Sequence, residues 1–150
     1  MVHYEETTPT NVKETNDCVV RSLSIALKIT YLKAHEFCAQ FLDRKSKDGV
    51  TGFPFRIRDK KTEKELERMG FNLIPHDTGY VRRYDGRTLP MNVRRFCRTY
   101  PRGTFIILGR GHAWCIIDGQ VHDWGNNKPK LQRKCIFAFR VQDNRQLKLF

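Results

Sequence analysis

An α+β fold, with N-terminal helices packed on a C-terminal antiparallel sheet, is what this sequence predicts, and three observations predict it. Behind Asn16 and Asp17, both good N-cap residues, Val19, Val20, Leu23 and Leu27 recur at helical spacing. Thr104 to Leu108 is a continuous apolar run of the kind that suits a central strand. Asp118-Gly119, between two further apolar runs, is a strong signal for a two-residue type I′ hairpin. Helices come first and antiparallel strands follow, so the two classes of element segregate into packed layers.

Met1 to Thr15 is polar and reads as an extended lead-in, with Pro9 discouraging helix. The first helix opens at Cys18 and runs to about Ile29. Thr30 then caps a second, Tyr31 to about Arg44, whose apolar stripe is Leu32, Phe37, Phe41 and Leu42, with Ala34 and Cys38 beside it. Lys45 to Pro54 is a basic loop containing glycine, and Phe53 and Phe55 are expected to anchor it to the body. A charged helix follows Asp59 and ends at Gly70, leading into a strand from Phe71 to Pro75. His76 to Arg87 is rich in turn residues and reads as a loop.

Thr88 and Pro90 are expected to open another helix, through Tyr100. Val93, Phe96, Cys97 and Tyr100 form its inward face, while Arg94, Arg98 and Arg102, with Arg95 beside them, make a basic outer stripe. Gly103 releases the chain into the apolar strand and the hairpin. Cys135 to Val141 is read as a further strand, and Gln142 to Phe150 as a basic tail that docks on the surface.

At 150 residues the chain is expected to be one domain with one core, residues 1–150. Hydrophobic content of 39% with 11% aromatic residues belongs to a globular chain, not a disordered one. No run has the length of a membrane span, and Met1 to Thr10 carries acids and no apolar segment. No signal peptide and a cytoplasmic location are therefore expected. Five cysteines without a C-x-x-C pair argue for reduced thiols, with neither a disulfide framework nor a structural zinc site; no cofactor is expected.

One of those cysteines stands out. Cys18, at the first turn of a helix, lies at the positive end of the helix dipole, where a thiolate is favoured. The hairpin supplies a partner. With Asp118 and Gly119 as the turn, Ile117 faces Gln120, Trp114 faces Asp123 and His112 faces Gly125. His112, Trp114, Val121 and Asp123 then share one face, and His112 and Asp123 are diagonal neighbours within side-chain reach. A three-residue turn would shift the pairing and make Asn126 the partner of His112 instead. Cys115 and His122 fall on the opposite face, which argues against a metal site with His112.

A helix-borne cysteine followed by a histidine and an Asp or Asn on adjacent strands resembles the papain-like cysteine peptidase fold. Gly111 before His112 and the run Asp123-Trp124-Gly125 are similar to that family's motifs. The Asp-Cys-hydrophobic helix with a later Gly-His-Ala strand also resembles small papain-like or C39-like proteins of tailed phages. The resemblance implies a thiol hydrolase with Cys18 as nucleophile, His112 as general base and acid, and Asp123 as the residue that orients the imidazole. Where the family carries an oxyanion-hole glutamine before the cysteine, this chain has Val12, leaving Asn16 and Asn11 as candidate donors beside the Cys18 backbone N–H.

The implied activity is that of a peptidase or amidase acting on a protein or peptide. Deamidase and transglutaminase chemistry use the same groups. The other reading starts from charge: 28 Lys and Arg against 16 Asp and Glu give a net charge of +12. A basic binding protein on the same scaffold, contacting nucleic acid or an acidic protein without catalysis, would carry such a surface. The four arginines at 94, 95, 98 and 102 are its candidate contacts.

Overall fold

A computed structural model describes residues 17–44, 49–50, 52–78, 81–82, 88–123 and 131–145. Five helices are α1 (Cys18–Leu27), α2 (Tyr31–Phe41), α3 (Phe53–Arg56), α4 (Lys60–Met69) and α5 (Val93–Thr99). The strands are β1 (Phe71–His76), β2 (Val81–Arg82), β3 (Thr88–Leu89), β4 (Thr104–Gly109), β5 (His112–Ile117), β6 (Gln120–His122) and β7 (Phe137–Asp143). Five of them form an antiparallel sheet in the order β1-β7-β4-β5-β6, and β2 and β3 make a separate two-stranded ribbon. This is the α+β arrangement the sequence predicts, with one addition: helices cover both faces.

On one face, Ile106, Leu108, Cys115 and Phe139 pack with α1, α2 and α4 through Val20, Leu23, Leu27, Phe37 and Leu66. On the other, Phe105, Ile107, Trp114 and Ile116 pack with α5 through Val93, Phe96 and Cys97. The run Phe105-Ile106-Ile107-Leu108 is apolar without interruption because β4 lies at the centre of the sheet and buries side chains both ways. Arg94, Arg95 and Arg98 point outward from α5, and Arg102 just beyond it is also exposed, so the basic stripe is presented on the face opposite α1.

Several boundaries differ from expectation, each for a local reason. Helix α1 stops at Leu27, because Lys28 turns left-handed (φ 54°) and the N–H groups of Lys28 and Ile29 close back on Ile25 and Ser24. Thr30 does cap α2, accepting from the Lys33 N–H, but the helix ends at Phe41. Leu32 is 69% exposed, being out of phase with the buried Ala34, Phe37 and Cys38.

Phe53 and Phe55 do not both anchor. They sit two apart on the single turn of α3, so Phe53 packs inward, edge-on to Phe139, while Phe55 points out. Residues 88–89 form strand β3 rather than a helical turn, since Pro90 holds Leu89 extended and Asn92 caps α5 by accepting from the Arg95 N–H. Part of the expected loop at 76–87 is β2, and its remaining expected span overlaps residues 79–80 and 83–87, outside the described residues.

The last strand starts at Phe137, not Cys135, and extends through Gln142 and Asp143, so the beginning of the expected tail pairs with β1. Residues 146–150 of that tail, like the lead-in 1–15, lie outside the described residues.

Candidate active site

Asp118 and Gly119 both take positive φ (49° and 76°), the type I′ geometry, and the register is the one this turn imposes: Ile117 opposite Gln120 and Cys115 opposite His122. β6 ends at His122, and Asp123 follows it directly. From there its carboxylate Oδ1 lies 2.7 Å from His112 Nε2. His112 opens β5 just after a second tight turn, Arg110-Gly111, in which Gly111 supplies positive φ (69°) between the paired Gly109 and His112.

Cys18 stands at the N-terminus of α1, partly exposed, packed against both apolar layers at their junction. One hydrogen bond ties this helix to β5, and a second, within the helix, braces it. The Cys115 thiol donates to the Ser22 carbonyl at 3.0 Å, and the Ser22 hydroxyl donates to the Cys18 carbonyl at 2.7 Å. The structure thus places Cys18 and His112 in the lining of one cleft, near enough for the thiol to act on the ring's pKa, with Asp123 bonded to the ring's Nε2. Since Asp123 takes Nε2, the nitrogen left for the sulfur is Nδ1.

Burial of His112 works against its cationic form, but hydrogen bonds to Asp123 and Cys18 and their charges outweigh it, and its pKa rises from 6.5 to about 9. A raised folded-state pKa means that the pair's contribution to stability is fully present below pH 6.5 and is lost as pH rises through about 9. We expect the unfolding free energy, read from urea titrations, to fall across that window by on the order of 1–3 kcal/mol. In Asp123→Ala that part of the pH dependence should flatten; an equally steep fall would mean that another group is responsible.

The remaining cysteines are all buried and unpaired. Burial pushes the thiols of Cys38 and Cys135 up to about 12 and that of Cys97 to about 11, and raises Cys115 further still. Cys115 lies on the α1 face of the sheet, apart from His112. Among the described residues, no group of three or more His, Cys, Asp or Glu side chains is gathered as a metal site would require. None of the helices is long and apolar enough to cross a membrane, among the same residues.

Three further features were not singled out from the sequence. Asp17 does not cap α1 with its side chain. Its buried carboxylate instead accepts from Arg21 Nε at 2.9 Å and from the Tyr31 hydroxyl at 2.6 Å, fixing the residue next to Cys18. The i, i+4 spacing of Asp17 and Arg21 was the available signal. Trp114, 1% exposed, stacks on the His112 ring at 5.8 Å. A cleft of about 360 Å³ opens over Cys18 and His112, walled by Val19, Val50, Phe53, Pro54 and Phe137. Its walls come from distant segments and leave no local pattern.

Asn11 and Asn16, the candidate oxyanion donors, and Asn126, the alternative orienting residue, lie outside the described residues. A thiol, an imidazole and a carboxylate in this order can pass a proton from sulfur to nitrogen and hold the resulting imidazolium. Compared with family models, curated proteins and solved structures, the chain matches none of them.

Proposed function

We propose that the protein is a cysteine-dependent hydrolase of the peptidase or amidase type on a papain-like scaffold, acting in the cytoplasm. The observation that carries this is the His112 ring, bonded to Asp123 through Nε2 and lining one cleft with Cys18, the one partly exposed thiol of the five. A helix-borne thiol facing a sheet-borne imidazole, in the chain order Cys, His, Asp, supports the scaffold assignment.

In this mechanism His112 accepts the Cys18 proton, and the sulfur adds to an acyl carbon in the cleft. The oxyanion forms beside the helix start, where the backbone N–H of Cys18, at the first position of α1, has no acceptor within the helix. The carbon–nitrogen bond then breaks, and His112 gives its proton to the departing amine. Water, deprotonated by His112, hydrolyses the thioester and restores the thiol. Asp123 fixes the tautomer throughout.

The test uses p-nitrophenyl acetate as an acyl probe, with release of nitrophenolate and the mass of the intact protein as readouts. Wild type is expected to turn over, passing through a single acetyl adduct on Cys18. Cys18→Ala and His112→Ala should lose on the order of a thousand-fold or more. Cys38→Ser should retain turnover; if Cys18→Ala does as well, the assignment fails.

A second reading, a non-catalytic basic binding protein, is favoured by Arg94, Arg95, Arg98 and Arg102, which are exposed and have no carboxylate partner among the described residues. A nucleic-acid or acidic-protein binder would tolerate Cys18→Ser and lose affinity steeply with salt.

A further inference from the structure

We infer that the cleft over Cys18 continues into a second, apolar compartment that takes a bulky apolar side chain of a polypeptide, so that the substrate is an extended peptide chain rather than a small amide. This deepens the hydrolase assignment and rests on it for what happens to the bound chain.

Two neighbouring cavities share walls. The first, about 360 Å³, holds Cys18 and His112, and the second, about 270 Å³, lies beyond Pro54 and Phe137, which line both. Four large apolar side chains are exposed among the described residues: Leu32 (69%), Phe55 (81%), Phe137 (47%) and Ile136 (36%). Three of the four line this second cavity. Scattered apolar side chains on a surface are ordinary, but convergence on one concavity marks a binding surface.

The three are also held on fixed backbone. Phe55 rides on a helical turn whose neighbour Phe53 is buried and whose N–H groups at 55 and 56 both bond the Gly52 carbonyl. Ile136 is pinned by its N–H to the Leu108 carbonyl at 2.9 Å, and Phe137 is paired with Leu108 in the sheet. Presenting aromatic rings without ordering a loop lowers the entropic cost of binding.

A small amide would occupy the first cavity and leave this surface wet. A peptide running past Pro54 and Phe137 would cover it, burying one of its own aromatic or long aliphatic side chains there. Arg58 and Asp77 stand in the same cavity and offer polar contacts to the peptide backbone.

The experiment separates binding from chemistry. The Cys18→Ala protein is applied to an array of immobilised peptides of randomised sequence, alone and combined with Phe55→Ser, Phe137→Thr or, as an exposed apolar control elsewhere, Leu32→Ser. Bound peptides should share Phe, Trp, Leu or Met at one position. Phe55→Ser and Phe137→Thr should each lower affinity about ten-fold, and Leu32→Ser should leave it unchanged.

No bound peptide, bound peptides without an apolar position, or equal affinity in Phe55→Ser would each overturn the proposal. So would sedimentation showing that Phe55→Ser converts a dimer into a monomer, because the patch would then be covered by a second copy. Retention on the array needs no catalysis, so a failed acyl-transfer result would sink the hydrolase assignment without touching the compartment, and the reverse also holds.

Discussion

Iodoacetamide should alkylate Cys18 well below neutral pH, at a rate at least about a hundred-fold above that of any other cysteine in the chain. Two independent features set this ratio. Cys38, Cys97, Cys115 and Cys135 are buried, and burial holds each of them as the unreactive thiol. Cys18 is partly exposed and lines the same cleft as His112, the imidazole that takes its proton in the proposed mechanism.

Removing the ring should remove the advantage. In His112→Ala the acid-side reactivity of Cys18 should fall by about a hundred-fold, while the buried cysteines stay as slow as before. Peptide mass spectrometry across a pH series reads all five sites at once. Equal rates at Cys18 and Cys97 in wild type would mean that the thiolate and imidazolium do not pair.

Trp114→Ala should cost about 3–5 kcal/mol of folding stability, read from the urea midpoint. Total stabilities are only about 5–15 kcal/mol, so the variant would be marginal. The ring fills the core between the sheet and α5, with the Arg133 guanidinium over it at 5.4 Å and the His112 imidazole stacked on it.

Gly109 shows how closely the ring is fitted, since a Cβ there would come within 2.7 Å of two Trp114 ring carbons. Because the same ring backs His112, Trp114→Ala should also slow Cys18 alkylation, whereas Trp114→Phe, which keeps an aromatic face, should retain most of it. Loss of stability with Cys18 reactivity unaltered would show that Trp114 serves the core alone.

The Asp118-Gly119 turn explains why the His112–Asp123 contact was legible in the sequence. A two-residue turn with positive φ at both positions leaves one register, and the period of two along each strand does the rest. The central place of β4 and the inward faces of α1 and α5 were legible because their signals, an unbroken apolar run and a helical period, are local.

What stayed hidden depends on contacts distant in sequence. Nothing in 71–76 or 137–143 says that these strands pair, since partner choice is a property of the whole sheet. Phe55 shows a second limit: an aromatic residue beside a proline reads as an anchor until the helical phase of α3 is known. Asp17 shows a third, because a residue with a strong capping preference gave its side chain to Arg21 and Tyr31 instead.

The Cys115–Ser22 hydrogen bond, which ties β5 to α1, also sets a timetable. It joins residues 93 positions apart, and His112 opens the same strand, so the thiol leaves the ribosome long before the imidazole. At typical elongation rates the interval is on the order of ten seconds. Through that interval the nascent chain carries Cys18 without its partner, and the pair first becomes possible once β5 is made and folds back against α1. Assembly of the site therefore reports completion of most of the chain, and a product truncated before His112 carries the cysteine without the proton acceptor that would activate it.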